Sequence, residues 1–112
     1  MREKDLKSLV LYDVYAPLLS EKKREVFEMY FFEDLSLSEI SEHTGTSRQG
    51  VRELIVRTSS ELAEYEKALG LVEKEERDKK SAEKLLDISK RIESVFKEEA
   101  EEIRQIVSVK GE

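Results

Sequence analysis

Between Leu37 and Ile55 the apolar residues fall into two pairs, Leu37 with Ile40 and Val51 with Ile55, on either side of Gly45-Thr46-Ser47. Each pair keeps the three- or four-residue spacing of a single helix face. The glycine between them can end a helix in the left-handed conformation at little steric cost. Two residues on, Ser47 can cap the next helix by accepting a backbone N–H. A short helix, a glycine turn and a following helix, spaced in this way, read as a helix-turn-helix.

The remainder of the chain reads as helix too. Its 112 residues hold one proline and four glycines, with 41% charged and 38% hydrophobic residues, a composition that favours well-solvated helices over a sheet. From Asp5 to Leu19, residues Leu6, Leu9, Val10, Val14 and Leu18 recur at helical spacing and predict one buried stripe, ending near Pro17. Ser20 then predicts the N-cap of a second helix whose apolar face is Val26, Phe27, Met29, Tyr30 and Phe31. Ser36 to Ser38 opens the short third helix, which Gly45 stops, and the fourth runs from Ser47 to about Gly70.

We therefore expect an all-α protein, with residues 1–72 forming a helix-turn-helix domain and residues 73–112 a charged hinge and a long amphipathic C-terminal helix. The stretch KEERDKK, residues 74–80, has no apolar residue and fits a solvated hinge or an exposed helix surface. From Ser81 onward Leu85, Ile88, Ile92, Val95, Glu99, Ile103 and Ile106 alternate steps of three and four, a roughly heptad stripe broken at Glu99. Such a stripe packs against the domain or against a partner helix, and a homodimer is the expectation we carry forward.

Charge limits what this chain can do. The net charge of −6 argues against coating nucleic acid through bulk electrostatics. The acidic excess, however, lies elsewhere than the turn: residues 35–60 set Arg48, Arg52 and Arg57 against Glu39, Glu42 and Glu53 and are neutral, whereas residues 61–112 carry eleven basic and fifteen acidic side chains. The absence of cysteine and the single histidine leave no disulfide or thiolate site, make zinc improbable, and give no nucleophile–base pairing. There is no phosphate loop, no cofactor is expected, and the chain does not read as an enzyme. The first twenty residues contain no continuous apolar run, so neither a signal peptide nor a membrane span is expected, and the default location is the cytoplasm.

In a helix-turn-helix the second helix enters the major groove with its first residues against base edges. With Val51, Leu54, Ile55 and Thr58 turned to the core, Arg48, Gln49, Arg52, Glu53 and Val56 point outward. Arginine can donate a bidentate pair to guanine, glutamine can pair with adenine, and glutamate can accept from cytosine. Thr46 and Ser47 can bond phosphate oxygens at the helix start, and Arg52 or Arg57 can clamp a phosphate. Gly50 has no side chain and can let backbone approach the groove. The candidate contacts are thus Thr46, Ser47, Arg48, Gln49, Arg52, Glu53 and Arg57. His43, at the end of the third helix, reads as surface.

The segment LSLSEISEHTGTSRQGVRELIVRTSSEL, residues 35–62, resembles the helix-turn-helix of region 4 of bacterial sigma factors through Leu37, Glu39, Ile40, Gly45, Ser47, Arg48, Val51 and Arg52. Together with Tyr12, Tyr15, Leu18, Leu19, Tyr30, Arg57-Thr58 and Tyr65-Glu66, residues 6 to about 71 are similar to the YlxM family of small bacterial proteins. The resemblance implies a DNA-binding regulatory protein linked to the signal recognition particle pathway. It names duplex DNA, or the particle's GTPase or RNA, as partners, and places contacts on Arg48, Gln49, Arg52 and Glu53.

Overall fold

The structure, a computed structural model, describes residues 6–93 and 95–110. Among them are six α-helices: α1 (Leu6–Tyr15), α2 (Glu21–Phe31), α3 (Leu37–Thr44), α4 (Arg48–Leu69), α5 (Leu71–Ile92) and α6 (Lys97–Lys110). Contacts divide the chain into two compact units, the first ending at Val72 and the second beginning at Glu73.

Local chemistry starts and stops the helices of the first unit. Pro17 sits in a 3-10 turn, Ala16–Leu18, that ends α1 four residues before the expected Leu19; Asp5 lies outside the described residues. Ser20 caps α2 by accepting from Lys23 N. Phe32 closes that helix and stays exposed, its ring tilted against Tyr12 and Phe27. Ser36 and Glu39 form a reciprocal capping box at α3, and Gly45, at φ +73°, ends it. The starts at Ser20 and Ser36 and the stop at Gly45 are boundaries the sequence predicts, because each is set by one or two side chains acting on their own backbone.

The core of this unit gathers Leu11, Tyr12, Tyr15, Leu19, Val26, Phe27, Phe31, Ile40, Val51, Ile55 and Leu62. Helix α4 is its hub and packs against α1, α2 and α3. Rings supply much of the fill: Tyr12 stacks on Phe27 with centroids 4.4 Å apart, and Phe27 tilts against Phe31 at 4.5 Å. The face of α1 differs from the expected one. Leu6, Val10 and Leu18 stand 65%, 51% and 52% exposed, Leu9 and Val14 are half-buried, and the buried face is Ser8, Leu11, Tyr12 and Tyr15. Rotating the helix this way buries two phenol rings, which cover more apolar area than the aliphatic side chains left outside.

In the second unit, KEERDKK is exposed helix surface on α5 and not a hinge, supported by one-turn ion pairs Lys74–Asp78 at 3.1 Å and Lys79–Glu75 at 3.8 Å. The heptad stripe does not lie on one helix from Ser81 onward; it is shared between α5 and α6. The N–H groups of Val95 and Phe96 both bond Ile92 O, tightening the end of α5. Lys90 and Arg91 in its last turn and Glu98 and Glu99 in the first turn of α6 complement the two helix dipoles at the break. No glycine or proline marks this break, so charge placement is its sequence signature.

Candidate nucleic-acid interface

The turn between α3 and α4 is built from side chains that satisfy their own backbone. Thr44 Oγ1 donates to Ile40 O and accepts from Thr46 N, and Ser47 Oγ accepts from Gly50 N at 3.0 Å. Val51, Ile55 and Thr58 then turn inward, Val51 and Thr58 fully buried, which fixes the rotation of α4 about its axis. With that rotation set, Arg48, Gln49, Arg52 and Glu53 are exposed.

Gly50 has a steric reason to be small, whatever approaches it from outside. A Cβ there would stand 2.8 Å from Thr46 Cγ2 and 3.2 Å from Ser47 Oγ. The residue is therefore small so that the turn can fold back over the first helical turn of α4.

Two helix starts converge here. Ser36, Leu37 and Ser38 from α3, with Ser47, Arg48, Gln49 and Arg52 from α4, line an open groove of about 530 Å³. Arg48 Nη1 reaches across it to Ser38 Oγ at 3.5 Å, and Gln49 Nε2 lies 3.5 Å from Glu53 Oε1, one turn along the exposed face. No acidic residue occupies the first turn of α4, whereas Glu39 at the start of α3 is committed to Ser36 N, a bond that holds its carboxyl below the usual carboxylate range. The groove thus combines the positive end of α4, which no carboxylate offsets, with two guanidiniums and an amide, a donor-rich surface suited to an anion.

Of the sequence candidates, Ser47, Arg48, Gln49 and Arg52 come together in this groove. Glu53 stands beside it through Gln49, and Thr46 is half-buried, with its methyl group against Gly50. Arg57 is exposed but does not line the groove, being about 140° around the helix from Arg52. Ser36, Leu37 and Ser38 are the residues that sequence reading left out. Their capping box was legible at positions 36 and 39, but its nearness to Arg48 depends on the folded turn.

Fold and groove together define a helix-turn-helix protein, and among the described residues no helix is long and apolar enough to cross a membrane. Residues 2–104 match the family described as "Putative helix-turn-helix protein, YlxM / p13 like", and the chain belongs to that family, UPF0122. Its relatives include a UPF0122 protein of Caldanaerobacter subterraneus subsp. tengcongensis, 49% identical over 68% of this chain and 65% of the relative's own length. Another, from Clostridium kluyveri, is 37% identical over 90% of this chain and 88% of its own. A third, from Thermoanaerobacter sp., is 44% identical over 88% and 82%.

Proposed function

We propose that the protein binds duplex DNA as an accessory regulator, seating the start of α4 in the major groove in the manner of sigma region 4. The observation that carries this reading is the groove where the first turns of α3 and α4 meet Arg48, Gln49 and Arg52. In this reading Arg48 and Gln49 face base edges, Glu53 accepts from an exposed base amine, and Arg52 contacts a base or phosphate. Ser47, Thr46 and the serines of α3 face the phosphate backbone. Arg57 serves at most as a distal phosphate contact.

Because the chain is acidic overall, the non-specific component of binding is expected to be weak and to fall steeply with salt. Fluorescence anisotropy with duplex DNA drawn from a selected random pool tests the reading. Arg48→Ala and Arg52→Ala should each lose about 1 to 3 kcal/mol of binding, roughly 5- to 150-fold in affinity, and Arg57→Ala should lose less. Binding indifferent to both of the first two changes would remove α4 as the reading helix.

The net charge of −6 supports a second reading, in which the same fold docks a component of the signal recognition particle, its GTPase or its RNA, as the family resemblance implies. Calorimetry of the whole chain with each component separates the two. Specific DNA binding without a complex with either component would reject the second reading.

A further inference from the structure

Among Arg48, Gln49, Arg52, Glu53 and Val56, which α4 turns outward, Val56 is the residue that carries no hydrogen-bonding group. It stands in mid-helix and is 59% exposed. Its neighbours one turn away on either side, Arg52, Glu53, Ser59 and Ser60, are all polar, so no apolar side chain one turn along its own helix covers it. A branched side chain loses rotamer freedom against the preceding turn, and no packing with such a neighbour offsets the loss. Alanine, glutamate or lysine would suit an exposed helix interior better.

Position places this valine among the side chains that meet base edges. At about 100° per residue the outward arc runs from Arg48 through Arg52 and Gln49 to Glu53, about 140° in all, and Val56 falls about 80° along it, between Arg52 and Gln49. Along the axis it lies about 12 Å beyond Arg48, or roughly three to four base pairs of about 3.4 Å each. Recognition helices of other groove-binding folds make base contacts over a comparable length. The outward face of α4 thus sets four polar side chains about one apolar one.

We infer that Val56 selects thymine by packing on its 5-methyl group, a role that rests on duplex DNA being the ligand of α4. Chemistry names that base. In the major groove adenine, guanine and cytosine present hydrogen-bond donors and acceptors, which an isopropyl group would strip of water without replacing it. Thymine presents a methyl group there, and packing it on valine removes apolar surface of both from water. The polar residues of the same face cannot make this distinction, because a methyl group neither donates nor accepts.

Fluorescence anisotropy with the duplex that the whole chain selects from a random pool tests the role. Each thymine is replaced in turn by deoxyuridine, which lacks only the methyl group. Wild type is expected to lose about fourfold in affinity at one thymine, the effect of one methyl-sized group left in water. That thymine should lie roughly three to four base pairs from the position where Arg48→Ala relaxes discrimination. Val56→Ala should lose most of the methyl effect while its melting temperature equals or exceeds that of wild type, since alanine is the better helix former. At the same position wild type should also bind 5-methylcytosine more tightly than cytosine. Three results would overturn the role of Val56 even while Arg48→Ala and Arg52→Ala weaken binding: indifference of wild type to every deoxyuridine, a selected duplex without thymine in that register, or a methyl effect undiminished in Val56→Ala. If those two arginine variants bind as wild type does, or no duplex is bound, α4 is not a reading helix and the role of Val56 falls with it.

Discussion

The phenol of Tyr15 and the carboxylate of Glu66 meet at 2.5 Å and together cap the first turn of α5. Tyr15 donates to Glu66 Oε1; in turn Leu71 N donates to the phenol oxygen at 3.0 Å, and Val72 N to the same carboxylate oxygen at 3.1 Å. Gly70, at φ +61°, ends α4 one residue earlier. Two residues fifty-one positions apart thus satisfy the N–H groups of a helix whose own sequence offers no capping side chain at Gly70.

Tyr15→Phe keeps the ring and removes the hydroxyl, leaving Leu71 N–H and the Glu66 carboxylate without that partner. We expect a loss of about 1 to 3 kcal/mol, seen as a lower urea midpoint at unchanged m-value. Glu66→Gln keeps an oxygen for Val72 N–H and should cost less. Equal stability of Tyr15→Phe and wild type would show that water replaces the cap without loss.

Ser36→Ala and Ser47→Ala each delete an N-cap and should each cost about 1 kcal/mol. Ser36→Ala also takes away one half of the reciprocal pair with Glu39, so it should equal or exceed Ser47→Ala. Thermal unfolding of the two single variants and the double variant checks both the size and the order.

Gly50→Ala tests the reason for the glycine. In an open helix interior the change would stabilise by about 1 kcal/mol. Here the new methyl group meets Thr46 Cγ2 and the capping Ser47 hydroxyl, so the gain should be absent or reversed. Gly50→Ala in a Thr46→Ser background, which lacks the opposing methyl, should recover it. Differential scanning calorimetry of the three variants measures the comparison.

Acid should weaken the first unit through Glu61. Its carboxyl is held below the usual carboxylate range, first by the Lys23 ammonium 2.5 Å away and then by the Tyr65 hydroxyl at 2.6 Å. A folded-state value below the unfolded one contributes stability that is complete above the unfolded value, about 4.3, and fades as pH falls through the folded value. Urea midpoints between pH 7 and pH 3 should therefore fall less steeply in Glu61→Gln than in wild type.

Alkali acts through the tyrosines with the opposite sign. Burial, with a hydrogen bond to Glu28, pushes Tyr12 up to about 12, burial and Glu66 raise Tyr15, and Glu61 raises Tyr65. Folded values above the ordinary 10 mean that stability is intact below about pH 10 and declines as pH rises toward 12. Phenolate absorbance should lag in the folded chain and appear together with loss of helix.

Several of these features were legible before folding was considered. The serine caps at 20, 36 and 47 and the stop at Gly45 act within four residues, so their identities alone locate three helix starts and one end. The rotation of α4 was legible too, because Val51, Ile55 and Thr58 share one face. The face of α1 was not. That helix carries apolar residues on two sides, and periodicity does not choose between them; the fit of Tyr12 against Phe27 does. The break after Ile92 carries neither glycine nor proline; its signature is a change in the sign of charge, from Lys90 and Arg91 to Glu98 and Glu99.

The sequence by itself determined the helical class, the caps and the donor-bearing face of α4, since these follow from hydrogen bonds and spacing inside one turn or one helix. Only the tertiary structure decided that Ser38 faces Arg48, that Tyr15 and Glu66 cap α5, and that a side chain at residue 50 would meet the Thr46 methyl group. Each of those relations depends on how far apart two helices lie or how sharply a turn folds back. Packing sets those distances, through which rings fill the core, and no local pattern encodes them.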